Sequence, residues 1–263
     1  MTEVRLTHIG GPTVLMEFGG WRLLTDPTFD APGRSYDFGW GTRSRKLTGP
    51  SMTPADLPEI DVVLLSHDHH GDNLDHAGRG LLARAGTVVT TVSGSDRLGP
   101  PTRGLRPWAS LDLEMPGRPP IRVTATPCRH GPPLSRPLAG EVIGFCLEWE
   151  GQENGAVWIS GDTVLYRALR GVADRFDVGT AVTHLGGVRF GATGPIRYSM
   201  TASKAIELAG IIKPETLIPV HYEGWSHFRE GREAIERIAS LAGEDVRRTF
   251  RFLPIGSPTQ VAV

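Results

Sequence analysis

The sequence predicts a mixed α/β chain built from two layered halves. Three observations carry this reading. Strand-like segments come first in a run and then alternate with helices, and the chain does this twice. Glycine and proline are abundant, 33 and 21 of 263 residues, without a repeating triplet, which points to many turns of defined shape rather than to a fibre. Hydrophobic residues make up 39% and charged residues 22%, enough apolar material for a large core. No linker rich in serine or charge interrupts the pattern, so residues 1–263 read as one domain.

Residues 4–9 alternate with period two. Residues 13–18 and 21–25 follow as strands, with Gly19-Gly20 between them as a hairpin signal. Asp26-Pro27 ends the third strand, because proline has no N–H for the ladder. Residues 29–58 have little periodicity and read as a long shaped loop. Residues 61–66 form a short apolar run, as expected of a strand buried on both faces. Leu74, Ala77, Leu81 and Leu82 fall at helical spacing, with Asp72 or Asn73 as N-cap and Gly86 as C-cap. Strands are expected over 87–92, 121–126, 144–150, 156–160, 179–183, 216–220 and 247–253. Helices are expected around 165–173, from Thr201 to Pro214, and around 235–242 up to Gly243.

The formal charge of −1 provides no field that would draw the chain to nucleic acid or an anionic membrane. No run of 18 apolar residues exists, so no membrane span is expected. The N-terminus, from Met1 and Thr2 onward, lacks a basic region followed by an apolar one, which predicts a cytoplasmic protein. Two cysteines, Cys128 and Cys146, can form neither a disulfide scaffold nor a thiolate zinc cluster.

The chemistry concentrates in Ser66-His67-Asp68-His69-His70-Gly71-Asp72-Asn73, directly after a buried strand. In extended backbone i and i+2 share a side, so His67 and His69 can converge on one metal ion. Imidazole suits zinc and related transition metals, and an aspartate can complete or bridge the site. The alternative is a polar surface turn before a helix. Further ligands must come from elsewhere in the chain. His130, Asp162 and His221 each follow a predicted strand, as His67 does, and strand ends along one sheet edge are where α/β folds gather their sites. Each has a plainer alternative: a loop residue, a helix N-cap, or a strand-end residue bonded to backbone.

The order of strand pair, Asp26-Pro27, His-x-His-x-x-Asp, His130, Gly-Asp162-Thr and Pro-x-His221 resembles the metallo-β-lactamase-fold hydrolases. Within them it is most similar to the branch of ascorbate-6-phosphate lactonase and N-acyl-phosphatidylethanolamine phospholipase D. The resemblance implies a four-layer αβ/βα sandwich with metals in a cleft at the edges of the two sheets. It also implies that His67, His69 and His130 hold one metal, Asp162 bridges, and Asp72 and His221 hold a second. The family pattern is His-x-His-x-Asp-His. Here Asp72 lies five after His67, and Asn73 stands where the last histidine belongs, as if one residue were inserted. A second register, through Asp68, His70 and Asp72, restores the spacing but loses the first histidine. The second position is thus poorer in nitrogen, which leaves three alternatives: a weak site, a site for a different metal, or one that recruits His70 or His184. His184 follows another strand and is a candidate catalytic residue, a substrate contact or a buried structural histidine. His8 and His227 read as packing residues or entrance lining, and His76 as solvated.

The expected cofactor is zinc, one or two ions, with manganese or iron as alternatives. The expected reaction is hydrolysis of a small ester, lactone or phosphodiester by a metal-bound hydroxide, with Asp72 orienting it or taking its proton. Phe29, Tyr36, Phe38 and Trp40, followed by Arg43, Arg45 and Lys46, would suit a partly apolar anionic substrate, with Arg129 as a further anion contact. The same loop serves equally as a cover for the core. A nuclease of the superfamily is disfavoured by the charge balance, and a metal-binding or regulatory module without hydrolysis is the remaining alternative.

Overall fold

The structure, a computed structural model, describes residues 3–39 and 41–263. Met1, Thr2 and Trp40 therefore lie outside the described residues. The strands are β1 (Glu3–Gly10), β2 (Thr13–Phe18), β3 (Trp21–Thr25), β4 (Ser35–Asp37), β5 (Arg43–Arg45), β6 (Val62–Leu64), β7 (Thr87–Thr91), β8 (Thr102–Leu105), β9 (Ser110–Leu113), β10 (Ile121–Pro127), β11 (Ile143–Trp149), β12 (Ala156–Ile159), β13 (Val178–His184), β14 (Thr216–Val220) and β15 (Thr259–Ala262). They form one sheet in the order β15-β1-β2-β3-β6-β7-β8, a second in the order β14-β13-β12-β11-β10-β9, and the separate hairpin β4-β5.

Period-two alternation places Val4, Leu6, Val14 and Met16 on one face of the first sheet. There they pack against Ile121, Val123, Phe145 and Leu147 from the second. The opposite face of the first sheet, with Leu15, Leu24, Val63 and Leu65, is covered by Leu81 and Leu82 of the helix His76–Leu82. The opposite face of the second sheet, with Cys146, Trp158 and Ala181, is covered by Ala205, Leu208 and Ile212 of the helix Ala202–Ile212. Helix, sheet, sheet and helix make the expected four layers. Each sheet is antiparallel on one side and parallel on the other, through β3-β6-β7-β8 and through β12-β13-β14. Parallel strands point the same way, so their C-terminal ends deliver loops to one edge.

Several expected elements differ. The loop 29–58 contains the hairpin β4-β5. The first helix is capped by Asp75, whose side chain accepts from Gly78 N at 2.8 Å, and not by Asp72 or Asn73. Its C-cap is Ala83 rather than Gly86. Residues 247–253 do not form a strand: Arg247 ends a short helix, and Phe250 makes only an isolated bridge to Leu217. The last strand is β15 instead, paired to β1. No helix of the described residues is long and apolar enough to cross a membrane, and both cysteines are free.

Candidate metal centre

β6 stops at Leu64, and the backbone bends through residues 66–69 before turning at 71–73. Extended alternation therefore does not apply across the histidine cluster. His67 pairs with His70, three residues on, rather than with His69: His67 Nε2 lies 3.1 Å from His70 Nδ1. His130, delivered by the end of β10, brings its Nε2 to 3.2 Å from the same atom. His69 stands outside this group. Its Nδ1 lies 3.3 Å from Asp68 Oδ1. Its Nε2 occupies the place where a side chain on residue 140 would begin, 1.2 Å from the ideal Cβ position of Gly140.

The second set is Asp72, Asp162 and His221. His221 follows β14 in the left-handed region, φ 57°, with its N–H bound to Gly11 O at 2.8 Å. His221 Nε2 donates to Asp72 Oδ2 at 3.2 Å, and His221 Nδ1 lies 3.3 Å from Asp162 Oδ1. Asp162 Oδ2 is 4.0 Å from His130 Nε2, so this carboxylate lies between the two sets. The structure thus gathers His67, His130, Asp72, Asp162 and His221 from the expected residues, adds His70, and leaves His69 aside.

His184 is fully buried and does not line the cavity. Its Nε2 pairs with Asp26 Oδ2 at 3.0 Å, while Asp26 Oδ1 accepts from Ser66 N. Asn73 turns its amide toward Ser66 Oγ at 3.4 Å. His227, read from sequence as packing or entrance lining, donates from Nε2 to Asp72 Oδ2 at 2.9 Å and meets Ser44 Oγ with Nδ1. Its aromatic neighbours Trp225 and Phe228 were visible in the sequence, but contact across 155 residues has no local signal.

The donor chemistry fits a metal. His130 Nδ1–H donates to Tyr198 O at 2.6 Å, leaving Nε2 as a lone pair. Burial pushes His70 down to about 3 and His130 down to about 4. Burial, together with His70 and His130, takes His67 well below its usual range. All three rings are therefore neutral at neutral pH, as ligands must be. Metal–nitrogen bonds of about 2.0–2.1 Å at tetrahedral angles set ligand atoms about 3.3 Å apart, close to the spacing seen. In the second set neither oxygen of Asp162 has a hydrogen bond of normal geometry, and Asp72 Oδ1 and His221 Nδ1 have none. Burial, then the carboxylates of Asp72 and Asp26, push Asp162 well above the usual carboxylate range. Burial alone would raise Asp72 too, but hydrogen bonds from His221 and His227 hold it well below that range. A cation placed among them would satisfy these orphaned atoms and relieve the crowding of negative charge.

A cavity of about 330 Å³ opens above His70, Asp72 and His130. Its walls include Phe38, Val188, Phe190, Ile196 and Tyr198, and none of the described lining residues is lysine or arginine. The loop cations expected to meet an anion are elsewhere. Arg43 and Arg45 are exposed, and buried Lys46 pairs with Asp75 at 2.8 Å. Phe29 lies in the core and Tyr36 donates to Asp30.

The beta-lactamase superfamily domain matches residues 21–222. The chain belongs to this superfamily. A UPF0173 metal-dependent hydrolase of Methanosphaerula palustris is 25% identical over 209 residues, covering 75% of this chain and 86% of that protein. Among solved structures, the isothiocyanate hydrolase from Delia radicum gut bacteria superposes with a TM-score of 0.80 at 17% identity, covering 98% of this chain and 99% of that one. A diiron β-hydroxylase from Streptomyces venezuelae superposes with a TM-score of 0.69 at 16% identity, covering all of this chain and 55% of that one. The chain has the metallo-β-lactamase fold of its superfamily, with the four-layer sandwich described above.

Proposed function

We infer that this member of the superfamily is a metal-dependent hydrolase, and we propose that it acts on a small, uncharged, largely apolar electrophile such as an ester or lactone. The observation that carries the proposal is an apolar, cation-free cavity set directly over two converging ligand sets. His67, His70 and His130 would hold one ion and Asp72 and His221 a second, with Asp162 between the two sets. The all-imidazole set suits zinc, and the carboxylate-rich set suits zinc, manganese or iron. A bound divalent ion supplies Lewis acidity toward the substrate oxygen and acidifies water.

The chain's own groups do the rest. Tyr198 O fixes the tautomer and direction of the His130 ring. Asp72 both lines the cavity and leaves Oδ1 without a hydrogen bond, so it would help hold the ion and orient the attacking water. Phe38 and Phe190, with ring centroids 5.4 Å apart, keep bulk water from the floor and accept the apolar part of the substrate. A phosphodiester would enter this cavity without a guanidinium or ammonium to meet its charge, which favours the neutral substrate.

The test is a metal-loaded protein offered a panel of p-nitrophenyl acetate, short lactones, an alkyl isothiocyanate and bis-p-nitrophenyl phosphate. Chelator-sensitive turnover of uncharged members, with the phosphodiester slow, is expected. Rapid phosphodiester cleavage with inert neutral substrates would overturn the substrate class, and no chelator-sensitive turnover at all would overturn the hydrolase reading.

A further inference from the structure

A second cavity, of about 220 Å³, has His130 in common with the first but is otherwise lined differently, with Cys128, Arg129, Arg136, Glu141 and Tyr166 among its walls. Arg129 is its distinctive group. No carboxylate of the described residues lies within 4.0 Å of its guanidinium in an ion pair, and its Nε is buried without a hydrogen-bond partner. An arginine so placed leaves a charged donor fork half removed from water with nothing to receive it.

The fork is also held in position. The guanidinium carbon sits 4.7 Å from the ring centroid of Tyr166, so the ring supports it without satisfying its N–H groups. The backbone on which it stands is fixed from both sides. Arg129 N donates to Thr163 Oγ1 at 3.0 Å, and Arg129 O accepts from Val164 N at 2.9 Å. The carboxylate in this cavity, Glu141, is already engaged by Arg136 at 2.6 Å and by Ser93 Oγ at 2.9 Å. Paired charges cancel there, and the unpaired one is positive.

We propose that this pocket binds a small oxyanion, a carboxylate or a phosphate, on the Arg129 guanidinium. A planar donor fork matches the paired oxygens of either group, and such charge-assisted bonds are strong when water is partly excluded. The volume admits an anion of a few heavy atoms rather than a polymer. The site stands apart from the hydrolytic reading: it needs no metal, and its occupant need not be a substrate or product.

The test follows the Arg129 Nε–H resonance by ¹⁵N NMR while the metal-loaded protein is titrated with sodium acetate and, separately, with inorganic phosphate. Saturable movement of that resonance with at least one anion is expected, and the anion that saturates identifies the geometry the pocket accepts. Arg129→Gln should weaken the affinity about tenfold or more, while Arg136→Gln, whose guanidinium is already paired, should change it less. The movement should persist after a chelator strips the metal. No saturable movement with either anion, equal affinity in Arg129→Gln, or binding that disappears with the metal would each overturn the proposal. The wild-type resonance decides the matter even if Arg129→Gln does not fold. Persistence in stripped protein separates this site from the metal centre.

Discussion

The two ligand sets, a few ångströms apart, are built on opposite electrostatic terms. His67, His70 and His130 are neutral rings whose lone pairs converge beneath an open apolar cavity. Asp72, Asp162 and His221 form a set that reaches the cavity only through Asp72, with two carboxylates, one held ionised by two imidazoles and the other crowded by like charge. Burial acts on both but in opposite senses: it makes imidazoles better ligands and makes carboxylates demand a cation. One set thus already has the charge state a metal needs, whereas the other carries unpartnered carboxylate oxygens that a cation would satisfy.

The sharpest way to break this contrast is at Asp162, the residue between the sets. Asp162→Ala should lower turnover by roughly 10³-fold or more, since a bound ion contributes several kcal/mol and each 1.36 kcal/mol is tenfold. Metal analysis should show loss from the carboxylate set first. Stripping the metal should next destabilise the fold. An ion present at 1,000 times its dissociation constant adds about 4 kcal/mol, or roughly 10 °C in Tm for a domain of this size, and calorimetry with and without chelator measures it. Removing His227 should sharpen the contrast from the acidic side. His227→Ala takes one of two hydrogen bonds from Asp72 and should weaken metal binding roughly 10–100-fold, while His67, His70 and His130 keep their ion in a metal titration. Phe38→Ala opens the cavity over the imidazoles and should raise KM for an apolar ester roughly three- to tenfold with little change in metal content. The smallest effect is expected at His69. His69→Ala should leave metal stoichiometry unchanged, whereas His70→Ala should lose about one equivalent. The opposite result would restore the alternating register read from the sequence.

Much of this was legible because strands announce themselves by alternation and their ends can be found. His67, His130, Asp162 and His221 each follow such an end, and the structure brings all four together. The choice between His69 and His70 was not legible. It depends on where β6 stops, at Leu64, and a bend two residues later reverses which histidine faces inward. The cap at Asp75 was missed for a related reason: the turn at 71–73 lies between the histidines and the helix, and Lys46 comes from a distant loop to neutralise that cap. Residues 247–253 carry strand-like composition, yet an edge partner exists only as a bridge at Phe250. The four residues of β15 are too few to show a period.

The hairpin β4-β5 extends from a base anchored by Lys46 and Asp75. Near its tip Phe38 packs on His70 and Phe190, and on its return strand Ser44 meets the imidazole that holds Asp72. A single arm therefore serves as roof and as brace. Any displacement of this arm would therefore disturb the wall of the cavity and the support of Asp72 together.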